Sequence, residues 1–191
     1  MSDFPTEEAV LEPKRIQVFG ILHMVFGGLG LAGALGSVVM IQFQSTLLKW
    51  TPTAPGMEEY TRISVLVAEK LRPLTYIGAF FSVVLGILLL WAGISLVKRR
   101  ANALKLSNGY AWTSLTLKVV GLFLFFLVTK PLLDSLIDPA MAAADGMART
   151  QFTILKFSNA IGGILTPFLG AIYPIITLVM LNKPMVRQHL R

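Results

Sequence analysis

Four stretches of this chain are long, apolar and almost free of charge, and polar segments rich in Lys, Arg, Asp and Glu separate them. They cover residues 16–43, 74–97, 109–133 and 160–181. About 20 apolar residues suffice to cross the hydrocarbon of a bilayer as an α-helix, and each stretch meets that length. A water-soluble helix would show a polar face every turn; here apolar residues run on without one. The pattern therefore predicts an all-α fold, an integral membrane four-helix bundle with four transmembrane helices.

Local signals mark the ends of these spans. Pro73 precedes the second and Lys98, Arg99 and Arg100 follow it. Tyr110 and Trp112 stand near the start of the third, where an aromatic belt is expected, and Lys130-Pro131 near its far end. Pro167 and Pro174 lie inside the fourth, where kinking is expected. Asn108-Gly109 reads as a helix stop and turn, making spans two and three an antiparallel hairpin.

The two longer connections, residues 44–73 and 134–159, are each expected to hold a short amphipathic helix. In the first, Tyr60, Ile63, Val67 and Leu71 share one face, with Glu58, Arg62, Glu69 and Lys70 elsewhere. The second, about 139–157, carries Met141, Met147, Phe152 and Leu155 with weaker periodicity. The organisation expected is a tail at 1–15, one four-span domain at 16–182 and a C-terminal end at 183–191. The first span is read as retained, because a signal-peptide core is only about 7 to 15 residues long. Gly56-Met57 and Gly146-Met147 each precede an amphipathic stretch and a span, a hint of a duplicated two-helix unit; shared composition alone would give the same hint.

Basic residues set sidedness. The tail, middle loop and C-terminal end carry Lys14, Arg15, Lys98, Arg99, Arg100, Lys105, Lys183, Arg187 and Arg191, denser than Lys49, Arg62, Lys70, Arg72, Lys130, Arg149 and Lys156 in the long connections. Both termini are thus expected on the cytoplasmic side. Lys98, Arg99, Arg100, Lys105, Lys183 and Arg187 would form a surface drawn to anionic lipid, at about 1 kcal/mol per residue near the headgroups.

Composition strengthens this reading: 54% of residues are hydrophobic and 14% charged, against roughly 25% charged in soluble domains. The net charge of +7 does not point to nucleic acid, because the basic residues flank apolar runs and form no aromatic-interleaved patch. No cysteine and no Asn-x-Ser/Thr sequon is present. Disulfides and thiolate chemistry are excluded, and a bacterial-type plasma membrane is favoured over a secretory-pathway surface.

Ionisable groups inside a membrane are costly, so His23 and Lys118 are the first candidates for function. Each lies about 10 Å from the cytoplasmic end of its span, and counting along the other spans brings Trp91, Tyr173 and Thr177 to the same layer. One reading is a cytoplasm-facing pocket for an anionic or carbonyl-bearing ligand. The other, which is favoured, has Lys118 extending to the interface and His23 bonded to a neighbouring hydroxyl or carbonyl. Small residues supply packing positions: Gly28, Ala32 and Gly36 on one stripe of the first span, Gly86 and Gly93 in the second, Gly163 and Gly170 in the fourth. They serve contacts within one bundle, the favoured reading, or contacts with another subunit.

The spans hold no Asp or Glu, which argues against carboxylate relays for cations. His189 near the C-terminus is the only second imidazole, so bis-histidine haem is not expected. Gly28-Leu-Gly-Leu-Ala-Gly33 matches a dinucleotide fingerprint only by spacing, since it lies inside a span. No cofactor or metal is expected. The function expected is that of a non-enzymatic accessory subunit or scaffold, with other membrane subunits or its own copies and membrane lipids as partners. The alternative is a small oligomeric transporter, channel or lipid-handling protein.

Overall fold

The computed structural model describes residues 7–50, 55–184 and 186, and these contain helices and no strand. Helix α1 spans Glu7–Trp50, α2 Glu58–Val97 and α3 Ala103–Leu124. A π-helical turn, Phe125–Thr129, leads directly into α4, Lys130–Ala143, and α5 spans Gly146–Leu181. Four helical stretches result, each long and apolar enough to cross a membrane. They exceed the spans read from hydropathy: the 40 residues of α2 extend roughly 60 Å, about twice the thickness of hydrocarbon.

That extra length accounts for the first departures from expectation. The amphipathic stretch around Tyr60–Leu71 is no separate loop helix but the first part of α2, which continues through Pro73. Proline deprives the Glu69 carbonyl of its helical donor, and Glu69 is exposed, so water can take that donor's place. The stretch 139–157 likewise forms no single helix. The chain leaves α4 at Ala144, which is extended, and α5 begins at Gly146 with a φ of +54°. Gly56, ahead of α2, also holds a positive φ, +81°. At the other end, α1 starts within the segment read as a polar tail.

Asn108-Gly109 does not end a helix either. The turn comes earlier, where Arg99 takes the left-handed conformation at φ +48°. The Arg100 N–H reaches the Ser95 carbonyl at 2.9 Å and the Arg99 N–H that of Leu96 at 3.0 Å, the paired bonds that close a helix C-terminus around a residue of positive φ. Asn108 then lies inside α3, where it and Asn182 each donate to the other's side-chain oxygen at 3.0 and 2.8 Å. An amide with a tertiary partner does not stop a helix.

Packing divides the chain into two compact units. The first comprises Met1–Ala34, Phe80–Leu117 and Gly170–Arg191, the second Leu35–Ala79 and Lys118–Leu169. In the first unit α1 and α2 touch through backbone. A methyl group on Gly93 would lie 2.7 Å from the Gly20 carbonyl oxygen, and one on Gly27 3.0 Å from that of Gly86. Around this contact the buried residues are mostly small or polar, among them Ala34, Ala92, Ala103, Ala111, Ser95, Ser107, Ser114 and Thr177. Large apolar side chains such as Leu29, Phe80, Ile87 and Val179 are more than half exposed. A surface of this kind, over an interior of small residues, fits lipid as its solvent.

The second unit has a core of a different character. Ile63, Val67, Leu133, Ile137, Ala140 and Phe152 cluster there, with Tyr60 packed edge-on to Phe152 at 5.3 Å. Ion pairs join α5 to α4, Lys156 reaching Asp134 at 3.0 Å and Asp138 at 2.6 Å, and within α4 Lys130 reaches Asp134 at 2.6 Å. Exposed pairs of this sort contribute about 0 to 1 kcal/mol each, so they orient α4 and α5 more than they stabilise them.

Three stability changes are expected. Gly93→Ala is expected to cost about 1–2 kcal/mol in detergent, because overpacking against a backbone oxygen outweighs the gain in helix propensity. Gly28→Ala, whose methyl meets nothing within 4 Å, is expected to melt at or above the wild-type temperature. Arg99→Gly is expected to raise stability by about 0.5–1 kcal/mol by relieving the left-handed conformation; a thermal melt of each purified variant reads all three effects.

Candidate functional site

His23 lies one turn after Gly20 and one turn before Gly27, so it shares the α1 face that those glycines press against α2. Its Cβ is 3.0 Å from where a methyl group on Gly93 would sit. The close approach of two backbones is therefore what seals His23, whose side chain is fully buried. Its ring then meets residues of α3 and α5.

The central hydrogen bond joins His23 Nδ1 and Tyr173 Oη at 2.6 Å. The His23 ring packs edge-on to Tyr173 at 5.5 Å, tilted to Tyr110 at 6.0 Å and edge-on to Phe19 at 6.5 Å. Phe26 covers the other part of Tyr173, with centroids 4.6 Å apart. Tyr110 and Tyr173 lie 6.5 Å apart and share a cluster with Leu85, Leu88, Leu89, Ala111 and Leu178. Four helices contribute: α1 the imidazole, α2 the glycine against which it rests, α3 and α5 one phenol each.

Hydrogen bonding is the chemistry this arrangement supports. Either the phenol donates to Nδ1 or the N–H at Nδ1 donates to the phenol oxygen, according to the tautomer. Both cases leave Nε2 buried without a partner among the described residues, as an unused N–H in the first and a bare lone pair in the second. Ser95 Oγ and Ser107 Oγ are buried in the same condition. No group of three His, Cys, Asp or Glu that could hold a metal ion occurs among the described residues.

Of the layer read from the sequence, the structure brings together His23 and Tyr173, with Thr177 buried one turn beyond on α5. Trp91 instead points outward, half exposed, because Ala92, Gly93, Ser95 and Leu96 take the inward face of α2. Lys118 is half-buried and belongs to the second unit. Tyr110 was expected in an aromatic belt and is buried against His23; only Trp112 is exposed. The missed signal was the small or polar Ser107, Ala111 and Ser114, which mark the inward face of α3 around Tyr110.

The packing glycines divide into two groups. Gly86 and Gly93 form the close contact with Gly27 and Gly20, and Gly163 receives the ring of Phe125. By contrast Gly28, Ala32, Gly36 and Gly170 are exposed, and methyl groups on Gly28 and Gly36 would meet nothing within 4 Å. The close contact between α1 and α2 uses another face of α1, where Gly20 and Gly27 are seven positions apart like their partners. Lys98, Arg99, Arg100, Lys105 and Lys183 are exposed in the first unit. Arg187 lies outside the described residues.

Tyr173→Phe, which removes the hydroxyl and leaves Nδ1 unpaired, is expected to lower stability by about 0.6–1.7 kcal/mol, the range of hydrogen bonds between membrane helices. In a double-mutant cycle with His23→Leu, the loss should be absent in the His23→Leu background. An equal loss in both backgrounds would assign the cost to other surroundings of the hydroxyl and not to its bond with His23. Neither a protein-family model, nor a curated protein, nor a solved structure matches this chain.

Proposed function

We propose that the chain is a non-enzymatic, multi-pass protein of a bacterial-type plasma membrane, both termini cytoplasmic, that works as an accessory subunit or scaffold through helix packing. The observation that carries this reading is the open small-residue face of α1. Gly28, Ala32 and Gly36 recur every four residues, are exposed, and have no neighbour among the described residues where a methyl would project from either glycine. Inside a bilayer, association between helices rests on close packing through such residues, because lipid supplies no hydrophobic drive. The same helix already uses that device on its other face, at Gly20 and Gly27. A second membrane helix, from another subunit or a second copy, fits the unused face.

Sidedness rests on Lys98, Arg99, Arg100, Lys105 and Lys183, all exposed. On the cytoplasmic face they favour anionic headgroups, so such lipids are minor partners. The transporter or lipid-handling alternative draws on the unpartnered Nε2 of His23. It is the weaker reading, because the side-chain partner that His23 has is the neutral phenol of Tyr173.

Native mass spectrometry after gentle extraction tests the proposal. The wild-type chain is expected in a stoichiometric complex, with a larger subunit or with itself. Replacing Gly28, Ala32 and Gly36 together by Leu should lower the associated fraction about 10-fold, the effect of roughly 1.4 kcal/mol, with the melting temperature of the chain unchanged. A wild-type monomer, or a triple variant that associates as before, would remove the basis for this function.

A further inference from the structure

A cleft of about 260 Å³ lies beside the π-helical turn, lined by Phe125, Thr129, Ser158, Asn159, Gly162 and Gly163. All six belong to the second unit. Wide helical turns of this kind are rare and concentrate at functional positions, since the poorer hydrogen-bond geometry must be offset by something gained. Here the turn delivers the Phe125 ring onto Gly163, where any side chain larger than hydrogen would collide with it. Phe125 is buried as a result and forms the floor of the cleft.

The polar lining has spare capacity. Thr129 occupies the cap position of α4, yet its hydroxyl caps nothing. Asn159 donates through Nδ2 to the Leu155 carbonyl at 2.8 Å, and Ser158 donates to the same carbonyl at 3.1 Å. The Asn159 Oδ1 and the Ser158 Oγ keep lone pairs to accept with. The cleft therefore offers one hydroxyl donor and two acceptors beside a ring and two glycines, and none of its lining residues is charged.

Nearby charges cancel locally, since Lys130 and Lys156 are paired with Asp134 and Asp138. A phosphate would find no free cation in that network. By sequence position the cleft sits at the end of span 109–133 and the start of span 160–181, the level at which lipid glycerol groups meet the hydrocarbon. An ester or ketone could only accept a hydrogen bond. An alcohol can accept from Thr129 and donate to Asn159 or Ser158, so it uses both kinds of partner.

We propose that the cleft between the π-helical turn and α5 binds an uncharged lipid alcohol of the diacylglycerol type, its hydroxyl held by Thr129, Ser158 and Asn159 and its body lying on Phe125 and Gly162. This site is independent of the α1 face that carries the proposed function. Full-length protein in detergent micelles is titrated with dioleoylglycerol, its 3-O-acetyl ester and dioleoyl phosphatidic acid, with bound lipid read by native mass spectrometry. Dioleoylglycerol is expected to bind saturably and the acetyl ester about 10-fold more weakly, because the donor is lost. Phosphatidic acid should not outcompete the alcohol.

Gly162→Leu fills the cleft and should abolish binding; a methyl there meets nothing within 4 Å, so the fold is retained, which an unchanged melting temperature checks. Thr129→Val, nearly the same in shape, should weaken binding of the alcohol about 5- to 10-fold and weaken the ester as well, since both accept from the Thr129 hydroxyl. Equal affinity for alcohol and ester, preference for phosphatidic acid, undiminished binding to the folded Gly162→Leu variant, or no saturable binding would each overturn the proposal.

Discussion

Backbone contact between α1 and α2 is the constraint on which the first unit depends. Gly20 and Gly27 press against the backbone of Gly93 and Gly86, with Val97, Leu90 and Leu31 closing around the contact, and at that separation van der Waals attraction acts between whole helices. Residues on the same faces inherit the consequence. His23 is buried because its two flanking turns are glycine, and Trp91 is turned outward because the α2 face beside it is occupied by Ala92 and Gly93. A larger residue at any of the four glycines would separate the helices and expose the imidazole that the phenols of Tyr110 and Tyr173 now enclose.

The two units solve burial in different ways. The first gathers small and polar groups at the α1–α2 contact, beside apolar clusters that include Ile16, Leu89, Leu96 and Leu181, and hydrogen bonds such as His23–Tyr173 and Asn108–Asn182 give direction to its helices. The second buries branched and aromatic side chains in a cluster around Phe152, and ion pairs link α5 to α4. That contrast follows the sequence along the same helices. In α2, Tyr60, Ile63 and Val67 alternate with charges, while beyond Pro73 the apolar run has none. One helix thus carries two periodicities, and Pro73 stands near the change without ending the helix.

Hydropathy alone made the four long helices legible, since an uncharged run of sufficient length has one stable conformation where water is scarce: a helix that satisfies its own carbonyls and amides. It also singled out His23 and Tyr173 by type and depth, and Gly86 and Gly93 by their seven-residue spacing. Local signals were less dependable. Asn108-Gly109 and Pro73 look like boundaries and are not, because Asn108 finds Asn182 and the carbonyl freed by Pro73 is open to solvent. Arg99, with no sequence mark of a turn, makes the turn.

What the sequence by itself determined is therefore the class of the protein, the number of its long helices and the residue types available for packing and polar contact. Which glycines touch, which face of α3 carries Tyr110 inward, and that Lys118 belongs to a different unit from His23 were decided only by tertiary structure. The physical reason is rotational: every span is apolar around its whole circumference, so no polar face tells a helix which side to turn inward. Orientation comes from shape, from the one arrangement in which glycine meets glycine and Phe125 finds Gly163, and shape complementarity is a property of pairs that no single segment contains.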